Sequence, residues 1–109
     1  MTTHQRLLLL TFAGAALTAY GADAGTNWTE SCAKCHGADG KGDTKMGRKL
    51  SIADLTDPKT QAKFTNEEAF KSIKSGRTDE NGKTTMKAVE GLTDEDINSL
   101  VAHVRTLKK

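Results

Sequence analysis

The residues with the clearest chemistry are two cysteines and a histidine in the run Cys32-Ala33-Lys34-Cys35-His36. This C-x-x-C-H spacing is the pattern of c-type haem attachment. Two thiols three residues apart on one helical turn can reach the two vinyl groups on one edge of a porphyrin and form thioethers. The next residue then offers its imidazole to the iron. We therefore predict that Cys32 and Cys35 attach one haem covalently and that His36 is an axial iron ligand.

Three other uses of this cysteine pair have to be weighed. Cys32 and Cys35 could form a disulfide in an oxidising compartment. They could form a thioredoxin-type redox pair, although such a pair expects a βαβ context and no strand is predicted before Cys32. They could bind zinc, but zinc usually needs a second pair of ligands at knuckle spacing, and only His4 and His103 remain to supply it.

A histidine-anchored iron leaves a sixth coordination position, for which the chain offers Met46, Met86 and His103. Met46 follows His36 on a short Gly-rich segment, which makes crossing to the far face of the haem awkward. Met86 lies in a loop between two predicted helices, where the chain has room to wrap that face. His103 is expected to pack or to face solvent on the last helix. Methionine commonly fills cores, but the vacant iron position favours Met86 as the ligand, with Met46, a histidine or an open position as the alternatives.

Length and charge bound what can surround such a haem. The chain has 109 residues, enough for one small domain. Its 16 basic and 14 acidic residues leave a formal charge of +2, too balanced for a nucleic-acid binder. Two cysteines cannot build the dense disulfide framework of very small secreted domains.

The N-terminal segment has the order of a secretory signal: a short start with Arg6, an apolar run over Leu7–Leu17, and a small-residue exit at Ala24. We predict a signal peptide over residues 1–24 with cleavage after Ala24, or as a second choice after Gly21. An uncleaved N-terminal membrane anchor or a buried helix is the alternative, but the run falls short of the about 20 apolar residues that span a bilayer. The domain at residues 25–109 is therefore expected in the periplasm or otherwise exported.

Capping motifs and apolar spacing predict helices in the remainder. Thr26 is the predicted N-cap of a helix that runs into the cysteines, whereas residues 34–49 are Gly-rich and predict a long loop. Asp57-Pro58 predicts a short helix towards Phe64. Thr65 opens a T-x-x-E capping box, whose helix should carry three apolar side chains inward and stop at Gly76. Those three are Ala69, Phe70 and Ile73.

The last helix is predicted to start at Thr93, and it carries one apolar stripe. The stripe consists of Ile97, Leu100, Val101, Val104 and Leu107. Residues 77–85 are polar, with Asn81-Gly82 as a turn, and no segment alternates for long enough to predict a strand. The fold class is therefore all-α. Few large apolar side chains remain for its core, so we expect the haem to fill it and the haem-free domain to be at best molten.

Taken together, the domain resembles the class I cytochromes c, which are small soluble monohaem electron carriers. Trp28 one turn before C-x-x-C-H, the Gly-rich run 37–42, and Met86 with the segment 86–105 carry the resemblance. It implies the cytochrome c fold, in which crossing N- and C-terminal helices enclose a haem c between His36 and Met86. The Trp28 helix should pack against the Ile97–Leu107 helix. The implied haem-contacting residues are Leu50, Phe70, Ile73 and Leu92.

Three positions depart from the pattern of that family. Arg48 stands where the family often has proline, in the loop whose backbone carbonyl holds the proximal histidine, so this loop should be less rigid. Lys87 follows Met86 where the family often has proline, which predicts a softer loop and a more easily displaced iron–sulfur bond. His103 stands at or near the place of a usual aromatic residue.

The resemblance implies a periplasmic one-electron carrier that is a monomer and not an enzyme, with no nucleic-acid partner and no membrane span after cleavage. Its partners would be an oxidase, a reductase or a dehydrogenase domain. Lysines expected to frame the haem would steer the docking of acidic partners. The alternative is that these lysines form an ordinary solvated surface with no dedicated role. These lysines are Lys34, Lys41, Lys45, Lys49, Lys83 and Lys87. The alternatives are a haem-based sensor of small ligands and a cytochrome subunit of a larger redox enzyme.

Overall fold

A computed structural model describes residues 23–109, so most of the predicted signal peptide lies outside the described residues. Helices dominate this part of the chain, and two short strands between the last two helices form one small antiparallel sheet. None of its helices has the length and apolar character needed to cross a membrane. The elements are α1 (Ala24–Ser31), α2 (Ala33–His36), α3 (Lys45–Lys49), α4 (Pro58–Gln61), α5 (Asn66–Ser75), β1 (Arg77–Thr78), β2 (Thr84–Met86) and α6 (Asp94–Thr106).

The first and last helices of this set pack against each other, which confirms the expected pairing of the Trp28 helix with the C-terminal helix. Trp28 of α1 is 3% exposed, and Ile97 and Leu100 of α6 are 1% and 0% exposed. The predicted stripe on α6 is buried at four of its five positions, and Leu107 is half-buried. The apolar spacing on α6 therefore turns its buried face towards α1 and α5.

The start of α1 differs from the prediction. Asp23, and not Thr26, is the N-cap, and its carboxylate accepts a hydrogen bond from the Thr26 backbone N–H at 2.8 Å. Hydrogen bonding from the Thr26 backbone N–H, followed by the Thr26 side chain, holds the pKa of the Asp23 carboxyl below its usual value. Cleavage after Ala24 would remove this cap, whereas cleavage after Gly21 would keep it.

The helix that follows Thr65 agrees with the prediction. Thr65 and Glu68 form a reciprocal capping box at the start of α5, and Gly76 caps its end. The sequence predicts a turn and no strand in the polar segment after Gly76, but this segment contains β1 and β2, which pair with Arg77 opposite Met86. Strands of two and three residues are too short to show an alternating pattern. The predicted all-α fold class still holds, because these two strands form only one short hairpin beside the helices.

The predicted loop over residues 34–49 is also partly helical. Its start lies within α2, and its end forms α3, which is capped by Thr44. The Thr44 hydroxyl accepts a hydrogen bond from the Gly47 backbone N–H at 2.8 Å. The helix was missed because α3 is barely more than one turn long and carries too few apolar residues to show a period.

A buried glutamine ties the middle of the chain to the last helix. Gln61 is 5% exposed, and its Nε2 donates to the backbone carbonyls of Leu55 and Val104 at 2.7 and 2.8 Å. Gln61 lies at the end of α4, whose predicted N-cap and Pro58 start are confirmed. Because both hydrogen bonds of this buried amide go to backbone carbonyls, the Gln61 side chain fixes the position of the segment around Leu55 relative to α6.

Arg105 of α6 completes this connection from the other side. Its guanidinium donates to the carbonyls of Gln61 and Phe64 and to the side chains of Gln61 and Asn66, at 2.7 to 2.8 Å. The same group lies over the Phe64 ring, with 4.3 Å between the guanidinium carbon and the ring centroid. One side chain thus connects α6 to the segment between α4 and α5.

We expect Arg105→Ala to lower the free energy of unfolding of the haem-loaded protein by about 2–3 kcal/mol, because several charge-assisted hydrogen bonds are lost and their acceptors are partly buried. Arg105→Lys should recover part of this loss, since it keeps the charge but not the forked geometry. The measurement is the midpoint of chemical denaturation.

The matched control for this prediction is Arg48→Ala. Arg48 pairs with Asp43 on the surface, where the two side chains are 65% and 79% exposed, so its loss should cost less than about 1 kcal/mol. Equal losses of stability in the two alanine variants would show that the Arg105 contacts contribute no more than a surface ion pair.

Candidate functional site

The C-x-x-C-H run occupies the junction of α1 and α2. Cys32 is the C-cap of α1, and its carbonyl accepts hydrogen bonds from the N–H groups of Cys35 at 3.2 Å and His36 at 3.0 Å. Cys32 is buried and Cys35 is half-buried, and both are free thiols. The run therefore forms the single helical turn that the spacing requires for thioether attachment.

The electrostatics of Cys32 weigh against the redox-pair alternative. Burial, with a smaller contribution from the Cys35 charge, raises the pKa of the Cys32 thiol to about 11. Redox pairs of the thioredoxin type instead depend on a lowered thiol pKa. Zinc finds no support either, because the described part of the chain has no group of three or more His, Cys, Asp or Glu side chains that could hold a metal ion.

The imidazole of His36 lines a cavity that Trp28, Ile73 and Leu100 also line. Burial lowers its pKa, which favours the neutral form that binds metals. Its Nδ1 atom is buried and makes no hydrogen bond within the described part of the chain. The expectation that a backbone carbonyl near Arg48 holds this imidazole is therefore not met in this structure.

The aromatic packing behind His36 comes from Trp28. The Trp28 ring lies 5.6 Å from the His36 ring, and the Trp28 Nε1 donates to the Gly37 carbonyl at 3.0 Å. His103 packs on Trp28 with a centroid separation of 5.3 Å, and it is not among the residues that line the cavity. His103 thus takes a packing position rather than one facing the imidazole of His36 across the cavity.

The loop after the cysteines is fixed by hydrogen bonds in the absence of proline. The Thr44 hydroxyl donates to the Cys35 carbonyl at 2.6 Å, and the Gly42 N–H donates to the His36 carbonyl at 2.7 Å. Gly47 packs so closely that a Cβ there would come within 2.6 Å of the Cys35 carbonyl oxygen. These contacts hold the loop after the cysteines against the C-x-x-C-H turn. The loop is therefore supported although Arg48 stands where the family often has proline.

A cavity of about 580 Å³ opens between α5, α6 and the C-x-x-C-H turn. Cys32 and His36 line it on one side, and Met86 of β2 is a further part of its wall. Met46 lies elsewhere, is 37% exposed, and is not among the lining residues. Of the three candidate sixth ligands, Met86 is the one that shares the cavity with His36.

The pocket residues implied by the resemblance divide into two groups. Ile73 lines the cavity, whereas Leu50, Phe70 and Leu92 are half-buried and are not among its lining residues. Ala69 lines it together with Ile73 because residues four apart share one face of a helix, and Phe70 points about a quarter-turn away. Contact between haem and the three residues outside the wall stays a prediction.

Several lining residues were missed in the sequence. Leu55 and Phe64 contribute apolar surface, and the charged residues that line the cavity are Lys63, Lys71, Arg77 and Glu68. Phe64 could have been found, since it precedes the Thr65 capping box, where an apolar residue commonly packs back onto the helix. The three cations carry no sequence signal of their own, because they come from separate segments.

None of the six lysines that were expected to frame the haem lines this cavity. Lys87 lines a second, more open cavity, which shares Arg77, Thr78 and Met86 with the first. The steering role of the six lysines stays a prediction. The cationic residues that line the first cavity are Lys63, Lys71 and Arg77.

These features fit a covalently attached haem. A cavity of about 580 Å³ has the size of a cofactor site. Its wall is mainly apolar, and the groups that line it include a thiol, an imidazole whose Nδ1 makes no hydrogen bond within the described part of the chain, and a thioether. Thiol, imidazole and thioether are the donor set by which haem proteins of the c type hold their cofactor and iron.

Comparison with solved structures gives the same assignment. The structure is similar to that of the KustC0563 c-type cytochrome, with a TM-score of 0.70 and 31% sequence identity, covering 81% of this chain and 100% of that chain. A mutant of Kustc0563 is similar with a TM-score of 0.67 and 31% identity, covering 80% of this chain and 100% of that chain. No curated protein matches the sequence significantly.

Comparison with protein families covers all but the last residue of the described region. The family model of cytochrome c matches residues 22–108, which include the C-x-x-C-H turn, the cavity wall and α6. This family carries covalently bound haem c, and Cys32 and Cys35 stand in the attachment motif. The chain therefore belongs to the cytochrome c family, whose members use haem c for electron transfer.

Proposed function

We propose that this protein is a one-electron carrier of the class I type, in which His36 and Met86 are the two axial ligands of one haem c. The observation that carries the proposal is that these two side chains line the same cavity, which Cys32 lines as well. Imidazole and thioether are the ligand pair of electron-carrying cytochromes c.

Attachment of the haem to the cysteines would require no oxidant or reductant. Each thiol S–H adds across one vinyl C=C bond, so that a C–S bond forms, the hydrogen goes to the neighbouring carbon and no oxidant is needed. Cys32 is already buried in the core beside Trp28 and Ile97. Attachment at Cys32 and Cys35 would then fix the position of the porphyrin edge relative to His36.

The remaining side chains tune the one-electron couple that the iron supplies when haem is bound. A methionine thioether on one axis raises the reduction potential relative to two histidines. Ile73, Leu55 and Phe64 contribute apolar surface to the same space, and a low dielectric disfavours the more charged oxidation state. With both axial positions taken by protein, no coordination site is left for a substrate, so we propose a carrier and not an enzyme.

We further propose that the protein works outside the cytoplasm, in the periplasm. The charge and hydropathy order of residues 1–24 supports this, and cytochrome c domains are typically exported. The partners would be redox proteins with acidic docking surfaces, meeting a monomeric carrier. Support comes from Lys63, Lys71 and Arg77 at the cavity, where only Glu68 opposes them among the lining residues.

The first prediction from this proposal concerns the protein made without haem attachment, for example as the Cys32→Ser, Cys35→Ser double variant. Its helices should persist in part, but the near-ultraviolet signal of Trp28, the only tryptophan, should vanish, because the cavity between α5 and α6 is left unfilled. Circular dichroism in both wavelength ranges is the measurement. A haem-free chain with native near-ultraviolet signal and cooperative unfolding would contradict it.

The second prediction tests the sixth ligand. Met86→Ala should abolish the weak band at the red end of the ferric spectrum that marks methionine ligation in class I cytochromes c. It should also lower the reduction potential and let the ferrous protein bind carbon monoxide readily. Met46→Ala is the matched control and should leave all three properties unchanged, because Met46 lies outside the cavity wall.

The same measurement separates the proposal from the sensor alternative. A wild-type protein that lacks the band and binds carbon monoxide without treatment would refute axial ligation by Met86 and favour a ligand-binding haem protein. Loss of the band in Met46→Ala alone would assign the ligand to Met46.

The third prediction concerns electrostatic steering. Oxidation of the ferrous protein by ferricyanide, an anion, should slow by about ten-fold as ionic strength rises from low salt to physiological values. Lys63→Gln and Lys71→Gln should flatten this dependence, whereas Lys34→Gln should not, because Lys34 is not at the cavity. Stopped-flow absorbance gives the rates.

A cationic oxidant, such as a cobalt(III) phenanthroline complex, provides the sign control and should react faster as salt rises. A flat series with both reagents would exclude steering. A slope that responds to Lys34→Gln and not to Lys63→Gln or Lys71→Gln would favour the lysines expected from the sequence.

A further inference from the structure

The backbone at the end of α5 lies unusually close to the segment that carries Met86. A Cβ built on Gly76 would come within 2.7 Å of the Met86 carbonyl oxygen and 2.9 Å of the Ala88 nitrogen. Real Cβ atoms do not approach backbone atoms so closely, so only glycine leaves room for this contact. The obstacle is main chain on both sides and cannot be relieved by rotating a side chain.

The conformation of Gly76 gives a second reason for glycine. Its φ of 76° and ψ of −177° lie in a region that is essentially restricted to glycine. Gly76 also caps α5, since its N–H donates to the Ser72 carbonyl at 2.8 Å. The chain thus leaves the helix in a direction that other residues do not adopt, and this direction leads straight into β1.

Two backbone contacts hold the Met86 segment against this end of α5. Arg77 pairs with Met86 across the short sheet, and the Val89 N–H donates to the Ile73 carbonyl at 2.9 Å. Gly76 lies between these two contacts. Ile73 and Met86 both line the cavity that contains His36, so the spacing between α5 and the Met86 segment sets where the thioether lies on the cavity wall.

We propose that Gly76 is a positioning residue for Met86, which acts by letting the Met86 backbone pack directly on the end of α5. This proposal rests on the axial role proposed for Met86. A side chain at position 76 pushes the Met86 carbonyl away from the helix. The thioether then withdraws from its place on the cavity wall, and the iron–sulfur bond is weakened without any change to the ligand itself.

Position 82 provides a matched control in the same hairpin. Gly82 also has a positive φ, 78°, but a Cβ there would meet nothing within 4 Å. Gly82→Ala therefore places a side chain at positive φ without pressing on another part of the chain. Comparison with Gly76→Ala separates the effect of contact with the Met86 segment from that of a side chain at positive φ.

The experiment compares the haem-loaded wild type, Gly76→Ala, Gly82→Ala and Met86→Ala. We expect Gly76→Ala to lose most of the ferric methionine band, to have a lowered reduction potential, and to bind added imidazole on the order of ten-fold more tightly, because the open form is more populated. Gly82→Ala should match the wild type in all three. Far-ultraviolet circular dichroism and denaturation midpoints are recorded for each, and spectra are compared at equal fractions folded.

The outcomes distinguish the two proposals. A methionine band that survives in Met86→Ala refutes the axial role of Met86. If the band is lost in Met86→Ala but is as strong in Gly76→Ala as in Gly82→Ala, the positioning role of Gly76 is overturned and the axial role of Met86 is not. Loss of the band in Gly76→Ala only in parallel with global unfolding also overturns it, since the methionine bond must weaken in protein that is still folded.

Discussion

The packing of Trp28 is the contact on which both the helix core and the haem site depend. Its indole is 3% exposed between α1 and α6, it donates to the Gly37 carbonyl, and its ring lies 5.6 Å from His36. Burial of a large aromatic side chain stabilises a small domain by a few kcal/mol. Because the same ring fills the core and abuts the imidazole, rotation of His36 away from the cavity would disturb the packing that holds the two helices together.

The two sides of the site are built in different ways. The His36 side is local: a single helical turn, the Thr44 hydroxyl and the Gly42 N–H hold it through bonds between residues close in sequence. The Met86 side depends on contacts between α5 and the hairpin, such as the bond from Val89 to Ile73. Since long-range contacts pay loop-closure entropy before they form, the His36 side has the more robust geometry. The position of the Met86 thioether on the cavity wall is therefore the more sensitive of the two to small changes in packing.

This difference explains what could be predicted from the sequence. The C-x-x-C-H turn, the Thr65 capping box and the stripe on α6 are local patterns with a fixed spacing, and the structure contains all three. The cap at Asp23 was missed because Asp23 and Thr26 are both good caps less than one turn apart. The cavity wall was only partly predicted, because whether Phe70 or Ala69 faces the cavity depends on the rotation of α5 against α6, and no local pattern determines that rotation. The cations Lys63, Lys71 and Arg77 meet only in the folded chain.

The thin core and the reactive cysteines have one explanation. The described region buries few large apolar side chains, and Cys32 is one of its buried residues, in contact with the cluster around Trp28 and Leu100. A cysteine in such a place is unsuited to act as a thiolate, because burial raises its pKa to about 11, but a neutral thioether at the same position carries no charge to desolvate. Attachment therefore converts a buried titratable group into an apolar one and brings a large apolar ring system into the cavity beside it. The bond that holds the cofactor and the packing that completes the domain are formed by the same residue.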